Sequence, residues 1–104
     1  MDIQSYAEYV LENLSRATLV NALNITTKLG RGNGKFEVND FCDSISSCAT
    51  KKLESGKLGA IVAYRIFIAC SDCKAEFATA NPRSMQMVLD DLIIKLWEAI
   101  NGNS

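Results

Sequence analysis

Histidine is absent from this chain of 104 residues. Histidine is the side chain that usually serves as a general base near neutral pH, and it is the commonest metal ligand in proteins, so the chain lacks both of these. The acids offer no substitute, because the adjacent Asp90 and Asp91 diverge by about 100° around a helix and cannot share a proton or a metal. We therefore expect a protein that is not an enzyme and that carries no cofactor.

An excess of positive charge is also lacking. Eleven Lys and Arg face twelve Asp and Glu, giving a net charge of -1, whereas nucleic-acid binders depend on a basic surface that neutralises phosphates. No apolar run reaches the roughly 18 residues that a transmembrane helix needs. The first residues carry an acid and no basic region, unlike a signal peptide. These absences predict a cytoplasmic protein that binds neither nucleic acid directly nor a membrane.

Three of the six glycines lie within residues 30–34 and are followed by Lys35, which raises the question of a phosphate-binding loop. A P-loop requires Ser or Thr directly after its Lys, but Phe36 stands there. Asn33-Gly34 is instead typical of a tight hairpin turn, because both residues tolerate positive φ. We interpret the segment as a turn between two strands.

The hydrophobic pattern alternates between helical and strand periods along the chain. Helices are predicted at about residues 5–17, 40–54 and 82–101, and strands at about 18–28, 36–38, 59–70 and 74–80. This order, α-β-β-α-β-β-α, predicts a single compact α+β domain over residues 1–104, in which three helices pack on one face of a mainly antiparallel sheet. The alternative is that residues 18–28 are helical, which would leave a smaller sheet.

The strand at residues 59–70 is the strongest in this prediction, since both of its faces are largely apolar. One face is formed by Val62, Tyr64, Ile66 and Ile68, and the other by Ile61, Ala63 and Phe67. Arg65 interrupts the second face. Two apolar faces indicate a central strand, which a turn at Ser71-Asp72 would connect to the strand at residues 74–80.

Four cysteines stand at positions 42, 48, 70 and 73. Cys70 and Cys73 fall at the predicted hairpin turn, where zinc knuckles place one pair of ligands. The second pair would be Cys42 and Cys48, whose thiols lie about 120° apart on a helix and do not easily converge. We favour buried thiols without a metal. A zinc site at Cys70 and Cys73, and a redox-active or disulfide pair at the same two residues, remain alternatives.

The last helix has a second apolar stripe outside its core face. Its members are Trp97, Ile94 and Met87, and they lie among the acids Asp90, Asp91 and Glu98. Trp and Met are enriched at the centres of protein interfaces. These six residues are therefore the predicted partner-binding surface.

The sequence as a whole favours a small non-catalytic interaction protein of the inhibitor, immunity, adaptor or assembly-factor type. Its expected partner is a protein, either a second copy of the chain or a basic protein attracted by the acidic helix. The alternative is a small enzyme or ligand-binding domain with a dispersed site, for which the candidates are Tyr6, Tyr9, Tyr64, Arg65 and Cys70. A zinc-stapled binding module is a third, weaker hypothesis.

Overall fold

The computed structural model describes residues 3–24, 38–78 and 85–102, and this part of the chain contains helices and no strand. The helices are α1 (Ile3–Leu14), α2 (described over residues 19–24), α3 (Val38–Glu54), α4 (Ala60–Phe77) and α5 (Met85–Asn101). The α+β prediction with three helices on a sheet is therefore wrong. The helical alternative for residues 18–28 is right for residues 19–24, while residues 25–28 lie outside the described residues.

The predicted strand at residues 59–70 is the first two-thirds of α4, and the physical reason lies in packing. Helix α4 lies between α3 and α5 and contacts both of them. A helix covered on two sides needs apolar residues over most of its circumference. A sequence with so many apolar residues also matches the pattern of a strand that is buried on both faces. The β-branched residues that favoured a strand cost a helix only a few tenths of a kcal/mol each, about 0.5 at most, which tertiary packing outweighs.

The other predicted strands and turns also change. Ser71 and Asp72 lie inside α4 instead of forming a turn, and residues 74–77 of the predicted fourth strand are its last turn. Val38, predicted to end a strand, is the first residue of α3. The predicted hairpin turn at Asn33-Gly34 lies outside the described residues.

The three predicted helices are present in the described residues, except that the first ends at Leu14 and not at residue 17. Their buried faces follow helical spacing. In α1 the spacing i, i+3, i+4, i+7 buries Ala7, Val10, Leu11 and Leu14. In α3 the buried set is Val38, Phe41, Cys42, Ser44, Ile45, Cys48 and Ala49. In α5 it includes Val88, Leu89, Leu92, Ile93, Leu96 and Ala99. These faces meet the buried side of α4 in one hydrophobic cluster.

The connection between α3 and α4 is fixed by a glycine in the left-handed conformation. Gly56 has φ of 79°, and its N–H donates to the carbonyl of Leu53 at 3.1 Å while Lys57 N–H donates to the carbonyl of Lys52 at 2.7 Å. This pair of bonds is the Schellman motif, which satisfies the last carbonyls of a helix. Gly59 then takes the N-cap position of α4 with φ of −72°. The tight connection sets α4 against α3.

Two side chains of α5 tie it to the segment that follows α1. The indole Nε1 of Trp97 donates to the carbonyl of Ala17 at 2.8 Å, and Asn101 Nδ2 donates to the carbonyl of Leu14 at 2.7 Å. These bonds satisfy carbonyls near the end of α1, which the helix itself leaves without a partner. None of the described helices is long and apolar enough to cross a membrane.

Candidate functional site on helices α4 and α5

Helix α4 carries a continuous apolar stripe on the side that faces solvent. Ile61, Tyr64 and Ile68 are 69%, 64% and 42% exposed, and their spacing of three and four residues puts them within about 60° on a helical wheel. Single exposed apolar residues are ordinary, but three in one row are not. We call these three residues the α4 ridge.

A groove of about 740 Å³ runs beside the α4 ridge, between α4 and the end of α5. Its walls combine apolar and charged side chains, among them Arg65, Ile68, Asp72, Lys95, Trp97 and Glu98. Ile68 belongs to both surfaces, so the ridge and the groove form one continuous face. We call this second surface the α4–α5 groove.

The structure separates the six residues of the predicted partner-binding surface. Trp97 and Glu98 line the α4–α5 groove, and Asp91 lines a smaller pocket further along the same two helices. Met87 is exposed, whereas Ile94 and Asp90 are half-buried and line neither cavity. The predicted surface is thus only partly one surface.

Trp97 is engaged within the protein. The ring is half-buried and packs against the core cluster, and its N–H is occupied by the carbonyl of Ala17. Because both the N–H group and the apolar part of the indole are in contact with the protein, the side chain is fixed in one orientation. A partner could contact only the exposed part of the ring and could not receive a hydrogen bond from it.

Lys95 forms ion pairs with two acids of the face between α4 and α5. Lys95 Nζ lies 3.3 Å from Asp91 Oδ2 and 3.6 Å from Asp72 Oδ2. Burial opposes its charge, but the two carboxylates prevail and hold the pKa of Lys95 above its ordinary value. The face between α4 and α5 is therefore of mixed charge, which weakens the case for a strongly basic partner.

Three cysteines meet where α3 packs on α4. Cys42, Cys70 and Cys73 are 0%, 2% and 5% exposed, and the thiol of Cys42 lies within hydrogen-bonding reach of both of the others. Cys70 and Cys73 lie within α4, not at the hairpin turn that the zinc alternative assumed. Asp43 and Lys74 close the same contact with an ion pair of 2.5 Å. We call the three residues the thiol cluster.

Cys48 lies apart from this cluster. It is buried under the first turn of α1, where Gln4 Nε2 donates to its sulfur at 3.2 Å. Within the described ranges, no group of three or more His, Cys, Asp or Glu side chains is arranged to hold a metal ion. All four cysteines are free thiols.

The residues of the alternative enzyme site do not come together. Tyr6 and Tyr9 stack on α1 at 5.9 Å between ring centres, whereas Tyr64, Arg65 and Cys70 belong to α4, whose backbone does not pack against that of α1. On α4 itself, Tyr64 faces solvent and Cys70 faces the core. The described geometry gives that hypothesis no pocket.

The α4 ridge and the thiol cluster were missed from the sequence for the same reason. Both depend on helical spacing in residues 60–77, which the alternation of apolar residues led us to assign to strands. The available signal was the recurrence of Ile61, Tyr64 and Ile68 at steps of three and four, with Arg65 beside them.

Comparison with protein-family models, curated proteins and solved structures finds no match for this chain.

Proposed function

We propose that this chain is a small helical interaction protein that pairs with a second copy of itself through the α4 ridge and the adjoining groove. The observation that carries the proposal is the exposure of Ile61, Tyr64 and Ile68 in one row on one helix. Removing such a row from water is favourable at about 25 cal/mol per Å² of apolar surface. A tyrosine at its centre suits an interface, because its ring is large and loses little conformational entropy on binding.

The charges around the ridge support a second copy as the partner. Arg65 lies on one flank of the ridge, and the acid Glu98 lines the groove beside it, together with Asp72, which also pairs with Lys95. In a twofold dimer each contact occurs twice, so the arginine of one copy can face the acids of the other. A surface that carries both signs is complementary to itself, which a uniformly acidic surface is not.

The residues predicted from α5 take a secondary part in this proposal. Trp97 supplies a rigid apolar wall to the groove, and Glu98 supplies part of its negative charge. Asp91 is paired with Lys95, so it contributes less to attraction of a basic partner. Met87, Ile94 and Asp90 lie outside the groove lining and are not needed for the pairing.

A cytoplasmic location belongs to the same proposal. The support is that all four cysteines are free thiols buried in the core. Reduced thiols persist in compartments where glutathione and thioredoxin keep the surroundings reducing.

The test is sedimentation velocity over a range of concentrations, with one variant on the ridge and one matched control. Tyr64→Glu places a charge in the centre of the ridge and is expected to abolish the dimer. Tyr9→Glu introduces the same change at an exposed tyrosine of α1, whose backbone does not pack against that of α4, and is expected to leave the dimer intact. Circular dichroism of both variants controls for folding.

A wild-type protein that remains monomeric at every concentration would contradict self-association. Equal loss of the dimer in both tyrosine variants would contradict the placement of the contact on α4. Association that survives Tyr64→Glu but is lost in Met87→Glu would move the contact to α5.

A further inference from the structure

The thiol cluster has a geometry that plain core cysteines do not require. The thiol of Cys42 on α3 lies within hydrogen-bonding reach of Cys70 and Cys73 on α4, while Cys70 also lies within reach of Ser46. Cys42 has a single S–H proton and can donate it to only one partner at a time. Because Ser46 can serve Cys70, the proton of Cys42 can be given to Cys73.

One member of the cluster can be reached from the surface. A pocket of about 300 Å³ opens between α4 and α5, and Cys73 is the only cysteine in its lining. We call it the thiol pocket. A small molecule in it would lie against Cys73, whose thiol is within reach of Cys42 on α3.

We propose that Cys73 and Cys42 form a thiol–disulfide exchange site that reacts with low-molecular-weight disulfides entering through the thiol pocket. Cys73 is the attacking thiol because it lines the pocket. Cys42 is the resolving thiol because it lies within reach of Cys73 across the α3–α4 contact. The thiol pocket includes no residue of the α4 ridge but shares Asp72 and Lys95 with the α4–α5 groove. The exchange does not rest on self-association.

The exchange takes place in two steps that balance. The thiolate of Cys73 attacks one sulfur of the disulfide, a bond forms between protein and ligand, and the ligand's own S–S bond breaks to release one thiolate. Cys42 then gives up its proton to solvent and attacks Cys73 Sγ, which expels the second ligand thiolate. The ligand disulfide is reduced to two thiols, and the two cysteines are oxidised to one disulfide.

The electrostatics of the cluster agree with these roles. The interaction with Cys42 holds the pKa of Cys73 below the ordinary thiol value, although burial and the charges of Cys70 and Asp91 oppose it, and Lys95 lowers the pKa slightly further. The same hydrogen-bonding raises the pKa of Cys42 well above that of a free thiol. A lower pKa leaves more of the reactive thiolate on the attacking residue.

The rim of the thiol pocket selects among disulfides by charge. Among the described residues it carries Asp72, Glu76 and Asp91 against one cation, Lys95. Cystamine, which has an ammonium group at each end, is therefore expected to react about tenfold faster than the anionic glutathione disulfide at low salt. High salt should reduce this difference, because it screens exposed charges.

The experiment treats the folded, fully reduced protein with cystamine, blocks the remaining thiols with N-ethylmaleimide, and measures intact mass and disulfide-linked peptides. The wild type should carry N-ethylmaleimide on no thiols other than Cys48 and Cys70, should be lighter by two hydrogens than the reduced protein with the same labels, and should contain a Cys42–Cys73 link, reversible by dithiothreitol. Cys42→Ser should stop at a mixed disulfide between Cys73 and one cysteamine. Cys73→Ser should not react at Cys42 or Cys70.

Cys48→Ser is the matched control, because Cys48 is equally buried but lies outside the cluster beside Gln4. It should react as the wild type does. The wild-type peptide map needs no substitution, so it decides the question even if a cluster variant fails to fold.

Three results would overturn the proposal. One is a folded wild type that does not react, or that reacts only in proportion to its unfolded fraction as denaturant is added. Another is a link that joins Cys70 to Cys73 or involves Cys48. The last is a glutathione disulfide rate equal to that of cystamine at low salt, which would contradict entry through the acidic rim.

Discussion

The indole nitrogen of Trp97 donates a hydrogen bond of 2.8 Å to the carbonyl oxygen of Ala17, eighty residues earlier in the chain. Asn101 repeats this arrangement one helical turn later, on the carbonyl of Leu14. The end of α5 is thereby fixed to the end of α1 through backbone carbonyls. Trp97 is a structural tie whose ring also forms part of the wall of the α4–α5 groove.

Trp97→Phe removes the N–H and keeps an aromatic ring. We expect the free energy of unfolding to fall by about 1 kcal/mol from the lost hydrogen bond, with a further loss from the smaller ring. The self-association constant should change little. Urea unfolding followed by circular dichroism measures the first, and sedimentation measures the second. Loss of the dimer with unchanged stability would return Trp97 to the role of a binding anchor.

Ile66→Ala and Ile68→Ala distinguish a helix from a strand at α4. On a strand the two residues share a face, whereas on α4 Ile66 is fully buried and Ile68 is 42% exposed. We expect Ile66→Ala to lower the free energy of unfolding by about 2–5 kcal/mol, because it leaves a cavity. Ile68→Ala should change it by about 0.5 kcal/mol or less. Equal losses in chemical denaturation would contradict the helix.

Residues 60–77 show why the sequence predicted only part of this fold. Ala63, Ile66 and Cys70 are buried at steps of three and four, but the apolar residues between them hide that period. A helix with apolar residues on two sides cannot be told from a buried strand by alternation. Residues 60–77 form a helix because α3 and α5 pack on both sides of it. Local propensity carries no information about such neighbours.

Helices with one apolar face were predictable, and so were their buried residues. Helical spacing in α3 predicts a buried stripe of Phe41, Ile45, Cys48, Ala49 and Leu53, and all of these are buried except Leu53, which is half-buried. The convergence of Cys42 with Cys70 and Cys73 could not be predicted, because it depends on how two helices pack. The separation of six positions between Cys42 and Cys48 argued against a site formed by those two, and the structure places them in different surroundings.

Gly56→Ala and Gly59→Ala form a matched pair at the α3–α4 connection. Neither added Cβ would meet an atom within 4 Å, but Gly56 has φ of +79° and Gly59 has φ of −72°. Alanine at position 56 should cost about 1–2 kcal/mol of stability through backbone strain. Alanine at position 59 should change stability by about 0.5 kcal/mol or less, since the conformation suits any residue. A thermal melt that ranks the two variants the other way would contradict the Schellman motif.

Tyr6 should make the protein less stable at alkaline pH. Burial, and then the neighbouring Tyr9, raise the pKa of the Tyr6 phenol above 10.0. The folded state thus holds this proton more tightly than the unfolded state, so its contribution is complete below the unfolded pKa and is lost as the pH rises through the folded pKa. The free energy of unfolding of Tyr6→Phe should decline less steeply above pH 10.0. Identical pH profiles would contradict the raised pKa.

The most direct test of the account is a dilution series of ¹H–¹⁵N correlation spectra, from millimolar to micromolar protein. Self-association through the α4 ridge predicts that the amide signals of residues 61–68 shift or broaden with concentration. The signals of residues 6–12 on α1, whose backbone does not pack against that of α4, should stay constant. Spectra that do not change with concentration, or changes centred on α1, would contradict the central claim that the α4 ridge is where two copies meet.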